Sequence, residues 1–298
     1  MLKRTISIGS RSHLSTRDEQ LIIRREKDDD EVSIPIEDIG LLEIDTMQAT
    51  SSAALFVKLL ENGSTTIFCD QSHHPVGLLI PLSGNSIHAL RLRQQVDSSL
   101  PSRKRSWQEI IKCKIRNQAD VLLELGANDL SVRRRIQKVL SNDSTNQEGV
   151  TAAAYWKLML APFQTTRDPE GPYPNNVLNY GYAVVRACVA RSLVASGLHP
   201  ALGIKHSNRG NAFALADDLM EPYRPFLDLH LFPKLLEWDS DGGLTPAMKR
   251  EILQILVVDT YWPEGRRPLL NAIQLSAASM AQVFSGEREV PMFPAICA

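Results

Sequence analysis

The feature that most constrains this chain of 298 residues is a change in hydrophobic period near Pro81. Before that point apolar residues alternate with polar ones, as on a pleated strand; after it they recur every three or four residues, as on one face of a helix. Leu21-Ile22-Ile23 leads into a polar turn at Lys27-Asp28-Asp29-Asp30, and Val32, Ile34 and Ile36 alternate with polar residues ahead of a further strand-like segment at 39–44. A helix is predicted over 47–61, stopped by Asn62-Gly63, with further strand-like runs at 65–69 and 76–80. Beyond residue 87 the pattern predicts helices over 87–96, 107–125, 130–140, 148–160, 245–262 and 269–284, with hardly a strand among them. Single cores stop growing at roughly 250–300 residues, so two domains are expected. The fold class is α+β: a small β-rich domain at residues 1–85 and a larger, mainly α-helical domain at 86–298.

Composition narrows the environment. The four cysteines, Cys69, Cys113, Cys188 and Cys297, lie far apart with no CxxC pair, which argues against a disulfide framework or thiolate zinc site and fits a reducing cytoplasm. No apolar run approaches the roughly 20 residues of a membrane helix, and the first 14 residues alternate instead of building a leader's apolar core. The net charge of −1 conceals an uneven distribution. Residues 1–85 carry 8 Lys+Arg against 13 Asp+Glu, residues 86–140 carry 12 against 5, and residues 141–298 carry 13 against 16. A basic middle segment is the footprint of a polyanion partner, and equally of a solvated helix face; charge alone does not choose.

Three features carry candidate chemistry. Glu148 opens a helix in Asn146-Gln147-Glu148-Gly149, where a carboxylate commonly serves the helix dipole; Gly149 weakens that helix and leaves room for another segment, or a nucleic acid, to approach the carboxylate. His206 lies in a loop holding Gly203, Asn208, Arg209, Gly210 and Asn211, with no apolar face to bury it. Asp217, Asp218 and Glu221 are spaced so that a helix would set their charges side by side, which calls for a cation, either Arg224 or a metal. Pro222 puts Glu221 at a break in that helix. One imidazole and two or three carboxylates suit Mg²⁺ or Mn²⁺ better than a closed zinc site.

The run Gly197-Leu198-His199-Pro200-Ala201-Leu202-Gly203-Ile204-Lys205-His206, together with Phe213-Ala214-Leu215-Ala216-Asp217-Asp218-Leu219-Met220-Glu221-Pro222-Tyr223-Arg224-Pro225, closely resembles the CRISPR-associated spacer-acquisition integrase, in particular its type II (II-C) forms. The resemblance extends to Asn146-Gln147-Glu148-Gly149, Leu178-Asn179-Tyr180-Gly181-Tyr182 and His74-Pro75-Val76-Gly77-Leu78. It implies a β-rich dimerisation domain joined to a helical catalytic domain. It implies metal ligands at Glu148, His206 and Glu221, with Asp218 as an adjacent catalytic acid that tunes the metal or orients His206. Many relatives carry Asp where this chain has Glu221, which lengthens the reach and keeps the oxygen chemistry. The implied reaction is attack of a protospacer 3′-hydroxyl on a phosphodiester at a CRISPR repeat border. Arg224 and Lys205 would meet phosphates, and the basic segment, including Arg103, Lys104, Arg105, Lys112 and Lys114, would track DNA. The implied partners are double-stranded DNA (protospacer and leader-repeat), a second copy of the chain and a small CRISPR-associated adaptation protein. Two rivals use the same residues differently: a nuclease hydrolysing DNA or RNA, and a non-catalytic DNA-binding scaffold.

Overall fold

A computed structural model describes residues 3–25, 31–71, 73, 75–82, 85–206, 208–238 and 243–297. The expected turn at Lys27–Asp30 and His74 of the resembling segment lie outside them. The chain forms two compact units, Met1–Ser86 and Ile87–Ala298. The first is β-rich and the second mainly helical.

The first unit contains β1 (Arg4–Ile8), β2 (Ser12–Arg17), β3 (Gln20–Arg25), β4 (Glu31–Pro35), β5 (Ile39–Ile44), β6 (Thr50–Ser51), helix α1 (Ala53–Glu61), β7 (Thr65–Cys69) and β8 (Pro75–Leu79). One sheet runs β1-β5-β7-β8, with β1, β5 and β7 parallel and β8 antiparallel; the other runs β4-β3-β2-β6. Every residue of β5 is buried, as expected of a mostly apolar strand covered on both faces, and its one charged residue, Glu43, accepts a hydrogen bond from Ser7 Oγ at 2.7 Å. Ile8, Leu14, Leu21, Ile23, Ile34, Ile36, Ile39, Leu42, Leu55 and Leu59 share one core. Val32, expected on the same face as Ile34, is exposed. The helix predicted over 47–61 begins only at Ala53. Thr50–Ser51 pairs with β2, and the Ser52 hydroxyl accepts from the amide of Leu55 as an N-cap.

The second unit contains α2 (His88–Val96), α3 (Leu100–Glu124), α4 (Leu130–Arg133), α5 (Gln147–Met159), α6 (Asn175–Ala195), α7 (Ala214–Met220), α8 (Arg224–Glu237), α9 (Pro246–Leu253), β9 (Asp259–Trp262), β10 (Gly265–Pro268) and α10 (Leu269–Ser285). Helix α3 starts seven residues before the predicted position, because Ser99 caps it and Pro101 fits the first turn. The helix predicted over 130–140 breaks after α4 into a 3-10 turn at Ile136–Lys138. That predicted over 245–262 ends as α-helix at Leu253 and continues as a 3-10 turn over Gln254–Val257; its last residues, Thr260 and Trp262 included, belong to the antiparallel β9-β10 hairpin, an extra strand pair the sequence pattern missed. Helix α3 forms the spine, packing against α4, α5, α7 and α8 through Trp107, Ile110, Ile111, Ile115 and Val121, all at most 1% exposed. Among the described residues no helix is long and apolar enough to cross a membrane.

Candidate active site

Glu148 is held by the entry to α5. The Asp143 carboxylate accepts from the amides of Gln147 (2.8 Å) and Glu148 (2.9 Å), and Asn146, in the left-handed conformation with φ 51°, caps the amide of Gly149. The bare Cα of Gly149 serves that cap: an added Cβ would stand 2.9 Å from Asn146 Oδ1. The residue therefore makes room for its own cap, and not for the distant segment or nucleic acid that the sequence suggested.

The loop bearing His206 is tied to α7 by Asp218, a fully buried carboxylate. Its Oδ2 accepts from the amides of Ile204 (2.7 Å) and Lys205 (3.0 Å), and its Oδ1 from the amide of His206 (3.2 Å) and from His206 Nδ1 (2.6 Å). Gly203 is what lets the loop close: a Cβ there would lie 2.4 Å from the His206 carbonyl oxygen and 3.0 Å from Asp218 Oδ2. The Asp218 hydrogen bond raises the imidazole's pKa against the effect of partial burial. The ring meets Trp107 edge-on at 5.8 Å, and Nε2 is the nitrogen left facing outward from the Asp218 bond.

Glu221 occupies a 3-10 turn, Glu221–Tyr223, between α7 and α8, so Pro222 tightens the helix there without driving residue 221 out of helical geometry (φ −54°, ψ −43°). The three acids expected to share one cation instead take three separate partners. Asp217 accepts from Asn211 Nδ2 at 2.7 Å, Asp218 takes the loop, and Glu221 pairs with Arg224 Nε at 2.9 Å and Lys114 Nζ at 2.5 Å. Lys114 Nζ also lies 2.9 Å from Glu148 Oε1. Two carboxylates distant in sequence thus converge on one ammonium. Burial opposes the charge on Glu221, but Arg224 and Lys114 outweigh it and hold its carboxyl down to about 2. Burial likewise disfavours the Lys114 ammonium, and Glu221 and Glu148 more than compensate.

The residues expected to face DNA lie in different settings. Lys114 is buried within the site, between Glu148 and Glu221. Arg103 donates to Ser98 Oγ and the Val96 carbonyl, closing the end of α2. Lys104 and Lys112 are half-buried, Arg105 is exposed, and Lys205 is exposed with its ammonium 6.0 Å from the Trp107 ring. Arg224 stacks over Tyr182 at 4.6 Å. A cavity of about 370 Å³ opens beside Gly203, His206, Asn211 and Arg103, and a second of about 220 Å³ is lined by Lys114, Gln118, Tyr182, Glu221, Arg224 and Asp228. Sequence reasoning missed Asp143, the bridging role of Lys114, and Asp228, which accepts hydrogen bonds from Tyr155 and Tyr182 and whose carboxyl burial raises to about 6. Only Asp143 left a trace, as part of the cap-rich run Asn142-Asp143-Ser144-Thr145-Asn146.

Among the described residues, no three His, Cys, Asp or Glu side chains are grouped closely enough to hold a metal ion as they stand. The donor set nevertheless fits a cation: Glu148 and Glu221 already point at one positive charge, and His206 is close enough for both to favour its charged form.

A buried and a partly buried acid on one cation, an oriented imidazole and flanking guanidinium and ammonium groups are the kind of set that phosphodiester chemistry uses. The family model described as "CRISPR associated protein Cas1" matches residues 7–236, and the chain belongs to that family. It is 35% identical over 259 residues to the CRISPR-associated endonuclease Cas1 of Neisseria meningitidis serogroup C, covering 86% of this chain and 84% of that protein. Its fold is shared with a casposase bound to integration product (TM-score 0.80, 17% identity, 97% of this chain and 92% of that one). It is shared too with the Cas6-RT-Cas1--Cas2 complex (TM-score 0.71, 16% identity, 96% of this chain and 35% of that one). The protein is thus a member of the CRISPR-associated Cas1 family, whose relative in Neisseria meningitidis is named an endonuclease.

Proposed function

We propose that Glu148, His206 and Glu221 hold one divalent cation, Mg²⁺ or Mn²⁺, at the centre where a protospacer 3′-hydroxyl attacks a repeat border. The observation that carries this reading is the convergence of Glu148 and Glu221 on a single cationic position beside His206. A bound divalent ion would polarise the scissile phosphate and stabilise the departing oxygen. The chain's own residues do the rest. Asp218 positions His206 by accepting from Nδ1, which leaves Nε2 for the ion. Arg224, braced by Glu221 and Tyr182, and Lys205, against Trp107, meet phosphate oxygens. The nucleophile belongs to the DNA, so the protein supplies position and charge and needs no nucleophilic side chain of its own. The buried thiols of Cys113 and Cys188, both pushed up to about 12 by burial, fit that division of labour.

Lys104, Arg105 and Lys112 on α3 track the protospacer backbone, while Arg103 secures the end of α2. The β-rich unit forms the homodimer, and a small Cas protein joins it, an assembly suggested by the Cas1–Cas2 relative. The cytoplasm is the compartment in which this chemistry meets its DNA.

A strand-transfer assay with a 3′-hydroxyl oligonucleotide and a repeat-bearing plasmid tests the reading in Mn²⁺, Mg²⁺ and chelator. Wild type joins the strands only with metal, and Glu148→Ala, His206→Ala and Glu221→Ala each lose about 100-fold or more. Hydrolysis without joining would favour the nuclease instead; DNA binding with neither reaction would favour the scaffold.

A further inference from the structure

The ammonium between the two carboxylates raises a question of its own. Lys114 reaches them from α3 with a side chain only 9% exposed, and its charge bridges Glu148 at 2.9 Å and Glu221 at 2.5 Å. A divalent ion cannot share the space between those oxygens with an ammonium, because the two positive charges would repel across a poorly screened interior. One turn further along the same face of α3 lies Gln118, 3% exposed, whose Oε1 has no hydrogen-bond partner among the described residues. Lys114 and Gln118 line the same cavity of about 220 Å³. A buried acceptor without a donor is costly, and the long donors that share its cavity are engaged elsewhere: Lys114 with the two glutamates, Arg224 with Glu221, and Arg167 with Asn175 and Asn179.

We infer that Lys114 is an exchangeable cation. It neutralises Glu148 and Glu221 before metal arrives, then yields its place and swings within the cavity to Gln118 Oε1. This rests on the metal reading above. The carboxylate pair is thus never left without a counter-charge, and the metal must compete with the ammonium for its position. Affinity for the ion is then lowered by competition with the resident ammonium, and the site is kept folded in its absence.

Direct Mn²⁺ titration by calorimetry and electron paramagnetic resonance, with melting curves with and without metal, tests the exchange. Lys114→Met should bind Mn²⁺ at least about ten-fold more tightly than wild type, melt lower without metal, and recover more of its melting temperature when metal is added. Gln118→Leu, which keeps the bridging lysine but removes its second acceptor, should weaken Mn²⁺ binding several-fold alone and have no effect in a Lys114→Met background. Should Lys114→Met fail to fold, the Gln118→Leu arm alone decides: unchanged Mn²⁺ affinity overturns the exchange. Unchanged or weaker Mn²⁺ affinity in a folded Lys114→Met protein overturns it too. Failure of the metal reading itself would look different: wild-type Mn²⁺ binding would be insensitive to Glu148→Ala and Glu221→Ala.

Discussion

The two sides of the site hold their carboxylates by opposite means. On the loop side, Asp218 is fixed by three backbone amides and one imidazole, groups whose positions are set by the chain itself. On the helix side, Glu148 and Glu221 answer to Lys114 and Arg224, charges carried on long side chains. Backbone donors cannot leave without unfolding the loop, whereas an ammonium on four methylenes can be displaced. The comparison separates a rigid frame, which aims His206, from an adaptable pair able to accept a new cation.

The contrast breaks most readily at its rigid end. Asp218→Ala should cost about 3 kcal/mol in urea unfolding, because buried amides lose their acceptor, and lower strand transfer by about 100-fold as His206 loses its orientation. Full activity in that variant would show that the loop needs no frame. Gly203→Ala probes the same side more gently. Its Cβ must displace the His206 carbonyl, and about 1–3 kcal/mol of stability with about ten-fold in rate are expected to go, whereas an unperturbed melting curve would mean that the loop yields freely.

The helix side is sharpened by acid. Because the Glu221 carboxyl is held near 2, below its ordinary 4.5, its ion pairs contribute stability that is fully present above about pH 4.5 and lost as pH falls through 2. Subtracting the stability profile of Glu221→Gln from that of wild type should expose a decline confined to that window; a flat difference would place the pair in solvent. The smallest effect is expected from Lys104, Arg105 and Lys112, which serve neither side. Alanine at each should lower protospacer affinity regardless of sequence and reduce the salt slope by about one per lost phosphate contact.

Much of this was legible beforehand. The β5 and β7 runs, the close of α1 at Asn62-Gly63, α2, α5 and α10 follow from period and punctuation, because burial on one or both faces writes a local pattern. The parallel pairing of β1, β5 and β7 does not, since it joins segments separated by intervening strands and α1. Nor does the β9-β10 hairpin, whose four-residue strands are too short to separate from the helical pattern before them. At the site, Glu148, His206, Asp218 and Glu221 stand out by residue type and motif, yet Lys114 read as one more positive charge in a basic stretch. A side chain's charge is written in its letter; whether it faces water, DNA or a buried acid depends on the helix face it occupies and on what packs there.

The sequence by itself determined a β-rich unit followed by a helical one, an acid and imidazole repertoire suited to phosphoryl transfer, and the family that carries it. Only the tertiary structure decided which cation stands between which acids, that Asp218 serves the loop while Glu221 serves the centre, and that Gly149 yields to its own cap. Periodicity is a local property that each segment enforces through its own burial. Charge pairing is a property of neighbours brought together from positions 114, 148 and 221, and distance along the chain carries no record of it.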